Sequence, residues 1–243
     1  MTKKKCVIVI PIYKEDPSEY DIVSIRRTNV MLKNHDIVFM CPENLNIDAY
    51  SEFKNIKYVR FDDSYFKGIR EYSRLCLSYE FYEKFKDYDY MMIVQTDCWI
   101  FRDEVNEWCE KGYDYIGGPI YSPLSNWPYL LYGRKPAVGN GGLSLRKIST
   151  MLRIMDRSGY VYKSLKDEWD NEFEDLFICN IISTKTYLNI PEYTDAEKFS
   201  IDFPKTLKIN IIPMGCHRVF HLYHLWEPYI GDLGLEKDGP KKD

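Results

Sequence analysis

The sequence predicts a single-domain α/β fold, a mixed and mainly parallel sheet flanked by helices, and three observations lead there. Apolar runs of strand length recur at CVIVIPIY (6–13), DIVFMCP (36–42) and IKYVRFD (56–62). Between the first two lies YDIVSIRRTNVMLKN, whose apolar Ile22, Ile25, Val30 and Leu32 fit a helix face imperfectly, and strand, helix and strand suggest a right-handed crossover. The third observation is YMMIVQTDCWIF (90–101), an apolar run bounded by FKDYDY and RDEVNE, as expected of a strand buried on both faces. A lone acid, Asp97, then sits at that strand's carboxyl end, the edge at which open α/β sheets bind ligands. A capping or turn aspartate is the plainer alternative. The 243 residues suffice for one domain, which at this size buries roughly three quarters of its unfolded surface.

Taken in order, MTKKK and the run that follows superficially resemble a leader, but the run is short, contains Pro11 and ends at Lys14, which favours a first strand. Residues 64–86 are expected to form one helix, lined by Ile69, Tyr72, Leu75, Leu77, Tyr79 and Phe81, that feeds the Asp97 strand. Residues 6–101 thus make a Rossmann-like, nucleotide-binding half. From 102 to 232 the chain is richer in loops, with helices expected at 147–157 and 174–184, a strand in LSLR after the glycines at 139–142, and a late strand at 207–213. The polar tail, 233–243, is expected to fray.

Composition narrows the function. A net charge of −4 with 29% charged residues argues against a polyanion-binding surface, and so against nucleic acid as a partner. The 21 Tyr, 12 Phe and 5 Trp suit stacking on bases or sugar rings, or equally an aromatic core. Seven cysteines, scattered and without a C-x-x-C pair, fit reduced thiols and a cytoplasmic protein. No run approaches the roughly 20 apolar residues of a spanning helix, leaving at most peripheral association with the inner face of a membrane.

Four constellations could carry chemistry. Asp97 is the first. The second, Gly139-Asn140-Gly141-Gly142, permits close approach to backbone without matching either phosphate-loop pattern, and a plain tight turn explains it about as well. The third is the acidic run Asp170-Asn171-Glu172-Phe173-Glu174-Asp175; helix capping accounts for most of it, while one carboxylate bordering a cleft can act as general base. The fourth is His217, favoured over His221 and His224, which are expected to be packing or surface residues.

In this order the four resemble a glycosyltransferase of the A-type fold, and most closely a mostly bacterial family catalogued as a domain of unknown function with glycosyltransferase-like character. The likeness runs through VIPIYK (9–14), YF-G (65–68), FYEKF-DYDYMMIVQTDCWIF (81–101), GYDYIGGP (112–119), VGNGGLSLRK (138–147), EDLF (174–177) and GCH (215–217). It implies a metal-assisted, nucleotide-sugar-dependent hexosyltransferase-like enzyme acting on a hydroxyl of a glycan or lipid-linked acceptor in polysaccharide biosynthesis. It implies a nucleoside diphosphate sugar donor, UDP-sugar favoured, and Mn²⁺ or Mg²⁺ held by Asp97 and His217. Gln95 stands where such motifs carry their first acid. Pro11, Ile12 and Tyr13 would border the base, and Gln95, Thr96, Asp97, Asn140, Gly141 and Gly142 the rest of the donor, with Arg74 and Arg146 as phosphate partners. The likeness further implies that Asp175 is the base of an inverting reaction and that Glu174 orients the acceptor, residues 102–232 forming the acceptor side. A retaining transferase on the same scaffold, a nucleotidyltransferase, and a sugar-binding protein with a degenerate site are the rival readings; PIYKEDP lacks the basic glycine-rich loop of the second.

Overall fold

The computed structural model describes residues 4–119, 130–131, 135–136, 138–165, 173–202 and 212–233. In chain order these form β1 (Cys6–Pro11), α1 (Glu19–Met31), β2 (Asp36–Pro42), β3 (Lys57–Phe61), α2 (Ile69–Cys76), α3 (Tyr79–Glu83), β4 (Tyr90–Val94), β5 (Trp99–Ile100), α4 (Val105–Glu110) and β6 (Tyr115–Gly117). There follow the short strands β7 (Leu130–Leu131) and β8 (Lys135–Pro136), then β9 (Leu143–Lys147), α5 (Ile148–Met155), α6 (Tyr160–Leu165) and α7 (Glu174–Leu176). The chain ends with α8 (Ser183–Thr186), α9 (Tyr193–Phe199), β10 (Ser200–Ile201), β11 (Gly215–Cys216) and α10 (Tyr223–Ile230).

The main sheet runs β3-β2-β1-β4-β9-β6, with its first four strands parallel and β9 antiparallel to both β4 and β6. Strand β1 explains why both faces are covered. Its alternate residues Val7 and Val9 belong to one apolar cluster, with Leu75, Phe81, Ile148 and Met151, while Ile8 and Ile10 belong to the other, with Ile25, Leu32 and Phe39. The N-terminal run is the strand that its hydropathy predicts, and it lies inside the sheet between β2 and β4.

Helix α1 starts where an N-cap signal stands in the sequence. Ser18 accepts the Asp21 amide while Asp21 accepts the Ser18 N–H at 2.8 Å, a closed capping box. Asp21 also gathers the Thr96 hydroxyl at 2.5 Å and the Lys14 ammonium at 2.9 Å, tying the helix start to the turn after β4. Burial pushes its carboxyl up, but these bonds outweigh it and hold Asp21 below the ordinary carboxylate range.

Three expectations are corrected. The run 90–101 is two strands, not one: β4 stops at Val94, residues 95–98 turn, and β5 leaves for a second sheet, β10-β11-β5. Apolar character resumes at Cys98 and Trp99, which made the stretch read as one run, although the polar Gln95, Thr96 and Asp97 mark the turn. The single helix expected over 64–86 is three pieces, because Asp62 caps a 3₁₀ turn at Asp63–Phe66 and Ser78 caps α3 by accepting the Phe81 amide. The breaks turn Leu75, Leu77 and Phe81 inward and leave Ile69 71% exposed and Tyr79 on the surface. The helix expected at 174–184 begins at Glu174 but widens into a π-helical turn at Phe177–Ile182 and ends at Tyr187 in the left-handed region.

Most of the strand expected at 207–213, most of the acidic run before Phe173, and the tail beyond 233 lie outside the described residues. All seven cysteines are free. Among the described residues no helix is long and apolar enough to cross a membrane.

The Asp21 network sets a stability test. Ser18→Ala should cost about 1 kcal/mol in urea unfolding, the usual worth of an N-cap. Asp21→Ala should cost more, since it also strands the buried side of Lys14 and Thr96, and the difference from wild type should shrink as pH falls through the carboxylate range.

Candidate functional site

Sheet topology gathers the candidate residues at one edge. The parallel strands β1 and β4 point their carboxyl ends there, and β9, running the other way, begins there: Val94 lies opposite Leu143. The glycine loop at 139–142 therefore meets the turn after β4, and the Gln95 N–H donates to the Gly142 carbonyl at 3.0 Å. Strand β11 pairs with β5, Cys216 opposite Trp99, which delivers His217 beside Asp97, and the Val219 N–H closes the contact on the Asp97 carbonyl.

His217 is the hub of the first cluster. Its Nδ1 faces Asp202 Oδ2 at 3.1 Å, and its Nε2 faces Gln95 Oε1 at 3.1 Å and Asp97 Oδ1 at 3.3 Å. Burial alone would push the imidazole down, but the Asp97 and Asp202 carboxylates raise it to about 10, so both ring nitrogens carry protons and donate. Burial likewise raises Asp97 and the His217 charge more than reverses it, leaving the carboxyl below its ordinary value. The ion pair leaves Asp97 Oδ1 buried without a well-aligned hydrogen bond, because the ring N–H points better at Gln95.

Three of these side chains would have to supply the donors if a divalent cation bound here. Gln95 Oε1, Asp97 Oδ1 and His217 Nε2 are a carbonyl oxygen, a carboxylate oxygen and an imidazole nitrogen, and Nε2 becomes a donor to an ion such as Mn²⁺ only when the ion displaces the proton that it carries here. The orphaned Asp97 oxygen is the atom such an ion would satisfy, and Asp202 fixes the ring from behind. Only two members are His, Cys, Asp or Glu, and among the described residues no group of three or more of those types could hold a metal.

The second cluster surrounds Asp175. One of its oxygens accepts the Gly141 N–H at 3.0 Å and the other the Leu176 N–H at 2.7 Å. Burial, then the charge of Glu174, raises this carboxyl to about 6, against the lowering pull of those two amides and of Arg146. Glu174 itself lies beneath the loop with 6% exposure, its oxygens taken by Arg146 Nη2 at 3.0 Å and the Ser73 hydroxyl at 3.2 Å.

The glycines make room for protein rather than for open space. A Cβ on Gly142 would lie 2.3 Å from the His217 ring, one on Gly141 2.6 Å from Glu174 Oε1, and one on Gly139, whose φ is +111°, 2.2 Å from Cys179 Sγ.

The remaining predicted residues divide. Asn140 closes the loop by accepting the Gly142 N–H through its side chain. Tyr13 is exposed at the end of β1, whereas Pro11 is buried and Ile12 belongs to the core, so the Ile12 side chain cannot reach a ligand. Thr96 turns its hydroxyl inward to Asp21. Arg74 is exposed on α2, apart from its buried neighbour Ser73. Arg146, expected as a phosphate partner, is fully buried and binds Glu174, Tyr82 and Ser144; strand residues with a charge usually face water, which is why sequence alone misled. Asp202 and Ser73 went unnoticed, each an isolated polar residue whose partner is far off in sequence.

The sheet and its helices have the A-type glycosyltransferase fold. Solved structures share it: mouse xyloside xylosyltransferase 1 in its apo form matches with a TM-score of 0.54 at 12% identity, covering 82% of this chain and 88% of that one. An active-site mutant of LgtC matches with a TM-score of 0.52 at 14% identity, covering 87% and 86%. The galactosyltransferase LgtC with donor and acceptor sugar analogues matches with a TM-score of 0.50 at 12% identity, again covering 87% and 86%. Within that fold class the chain belongs to the family described as Protein of unknown function (DUF5672), whose model matches residues 55–217. No curated protein matches the sequence.

Two outcomes follow from the packing and charge. Gly142→Ala should lower stability by about 1–3 kcal/mol in chemical denaturation, since a ring held from both nitrogens cannot move aside. Because folding raises the Asp175 carboxyl, the native state binds that proton more tightly and its contribution to stability falls as pH climbs from about 4 to about 6. Asp175→Asn should therefore be the more stable chain at neutral pH, by roughly 2–3 kcal/mol at most, and lose that advantage near pH 4 when unfolding is compared at both.

Proposed function

We propose that the chain is a glycosyltransferase that moves a sugar from a nucleoside diphosphate sugar, UDP-sugar favoured, to a hydroxyl of a glycan or lipid-linked acceptor, inverting the anomeric centre with Asp175 as base. One observation carries this reading. Two adjacent glycines separate a pair suited to a charged leaving group from a carboxylate suited to a proton: Gly142 abuts His217, and Gly141 donates to Asp175. The shared fold supports it at the level of architecture.

The roles follow from position. Mn²⁺ or Mg²⁺ held by Asp97 and His217, with the Gln95 carbonyl as a neutral third donor, would supply positive charge to the departing diphosphate. Asp202 holds the His217 ring in register by its bond to Nδ1. Tyr13, exposed at the end of β1, offers a ring face to the nucleotide base. Asp175 takes the proton of the attacking hydroxyl as that oxygen bonds to the anomeric carbon, whose bond to the diphosphate breaks with its electron pair leaving on the phosphate oxygen. The two amides on Asp175 leave each oxygen a further lone pair for that proton. A carboxyl raised to about 6 is ionised at neutral pH yet more basic than an ordinary one. In this reading the enzyme works in the cytoplasm, at most peripherally on the inner face of the membrane, which the seven free cysteines support.

The first test is a thermal-shift panel of UDP-, GDP-, CMP- and dTDP-sugars with and without Mn²⁺, in which one donor should raise the melting temperature. Silence across the whole panel would favour a sugar-binding protein with a degenerate site, the reading that the neutral Gln95 supports. With the donor found, Asp97→Ala should abolish the Mn²⁺-dependent part of the shift. Asp175→Asn should keep donor binding and lose about 10²–10⁴-fold in transfer, with wild-type kcat/KM rising through about pH 6. Retention of the anomeric configuration in the product, read by NMR, would overturn Asp175 as base.

A further inference from the structure

Behind Asp175 lies a buried charge that the proposed reaction does not use. Arg146, on β9, has 0% exposure, and its guanidinium reaches three elements: Nη1 the Tyr82 hydroxyl at 3.1 Å, Nη2 Glu174 Oε1 at 3.0 Å, and Nε the Ser144 hydroxyl at 3.2 Å. It also stacks over the Tyr115 ring, 5.1 Å from its centroid. Ser144 in turn donates to the Gly141 carbonyl at 2.9 Å, and Gly141 donates its own N–H to Asp175. A second path runs through Glu174, the residue next to Asp175, whose other oxygen binds Ser73 on α2. Both routes from Arg146 end on Asp175, one through the loop and one through its own helix turn.

The charges make the geometry consequential. Glu174 and Asp175 are adjacent acids out of water, and two uncompensated carboxylates there would repel each other and lose hydration. Arg146 offsets one of them, and its planar fork bonds Glu174, Tyr82 and Ser144 at once, which a lysine cannot do. The groups that face Asp175 are Glu174 on its own turn, Arg146 from β9, Cys179 from the π-helical turn, Tyr115 from β6 and the amides of Gly141 and Leu176.

We infer that the Arg146–Glu174 pair is a positioning device for Asp175, locking its carboxylate to the glycine loop and balancing the charge beneath it. As a role in catalysis this rests on the reading of Asp175 as the base. Glu174 then serves from below, with both oxygens occupied, instead of meeting an acceptor.

The experiment needs no donor. In the full chain, ¹³C NMR follows the Asp175 carboxyl with pH, its signal assigned by its loss in Asp175→Asn. Wild type should titrate near 6, and Glu174→Gln should bring the midpoint down toward the ordinary value of about 3.9. Amide hydrogen exchange reads the other half: Arg146→Lys should lose protection at Gly141. Should Arg146→Lys fail to fold, the same protection is read in Ser144→Ala, which cuts only the link from Arg146 to Gly141. An unmoved midpoint in Glu174→Gln overturns the charge balance, and unchanged protection at Gly141 overturns the positioning. A merely structural pair would lower global stability and move neither. A chain that shows both shifts but transfers no sugar sinks the proposed reaction and leaves the device standing; transfer without the shifts does the reverse.

Discussion

Two missing side chains hold the candidate site together. Where residues 141 and 142 would carry Cβ atoms, the Glu174 carboxylate and the His217 ring already stand, at distances no real Cβ tolerates. Packed interiors do not yield that space cheaply, since forcing even one methyl into a filled position costs about 1–3 kcal/mol. The glycines thus let the His217 cluster and the Glu174–Asp175 cluster approach adjacent residues of one loop.

That approach depends in turn on one antiparallel strand. A purely parallel sheet presents only the segments that follow its strands at the ligand-binding edge. Because β9 runs against β4, with Val94 opposite Leu143, the segment that precedes a strand arrives at the same edge. The second sheet completes the assembly: β5 abandons the main sheet at the turn after Val94, pairs with β11, and carries Asp97 to His217.

The two clusters obey one electrostatic rule. Each sets a single cationic group against two carboxylates: His217 between Asp97 and Asp202, and Arg146 against Glu174 with Asp175 alongside. Buried charges persist only when paired and hydrogen-bonded, and in both clusters the cation faces two acids at once, which leaves each acid only partly compensated. Asp97 keeps an unsatisfied oxygen and Asp175 a raised affinity for a proton. The reactive property of each acid is the residue of charge its partners leave uncancelled.

The sheet was legible because hydropathy is local: β1, β2, β3 and β9 fall where apolar runs of strand length stand. The kinds of residue at the site were legible too, since few positions combine a lone acid, a glycine cluster and a histidine in that order. What stayed hidden was the break at Ser78, the departure of β5 for a second sheet, and every buried polar partner. By itself the sequence determined the apolar period, and with it a covered sheet whose edge would carry Asp97; it singled out the glycine loop, Asp175 and His217 without placing them at that edge. Only tertiary structure decided that Arg146 points inward, that Thr96 serves Asp21, and that Asp202 stands behind His217. Hydropathy measures how far a residue avoids water, whereas a buried charge is settled by a partner such as Glu174, 28 positions from Arg146, or Asp202, 15 from His217, and no local signal records that distance.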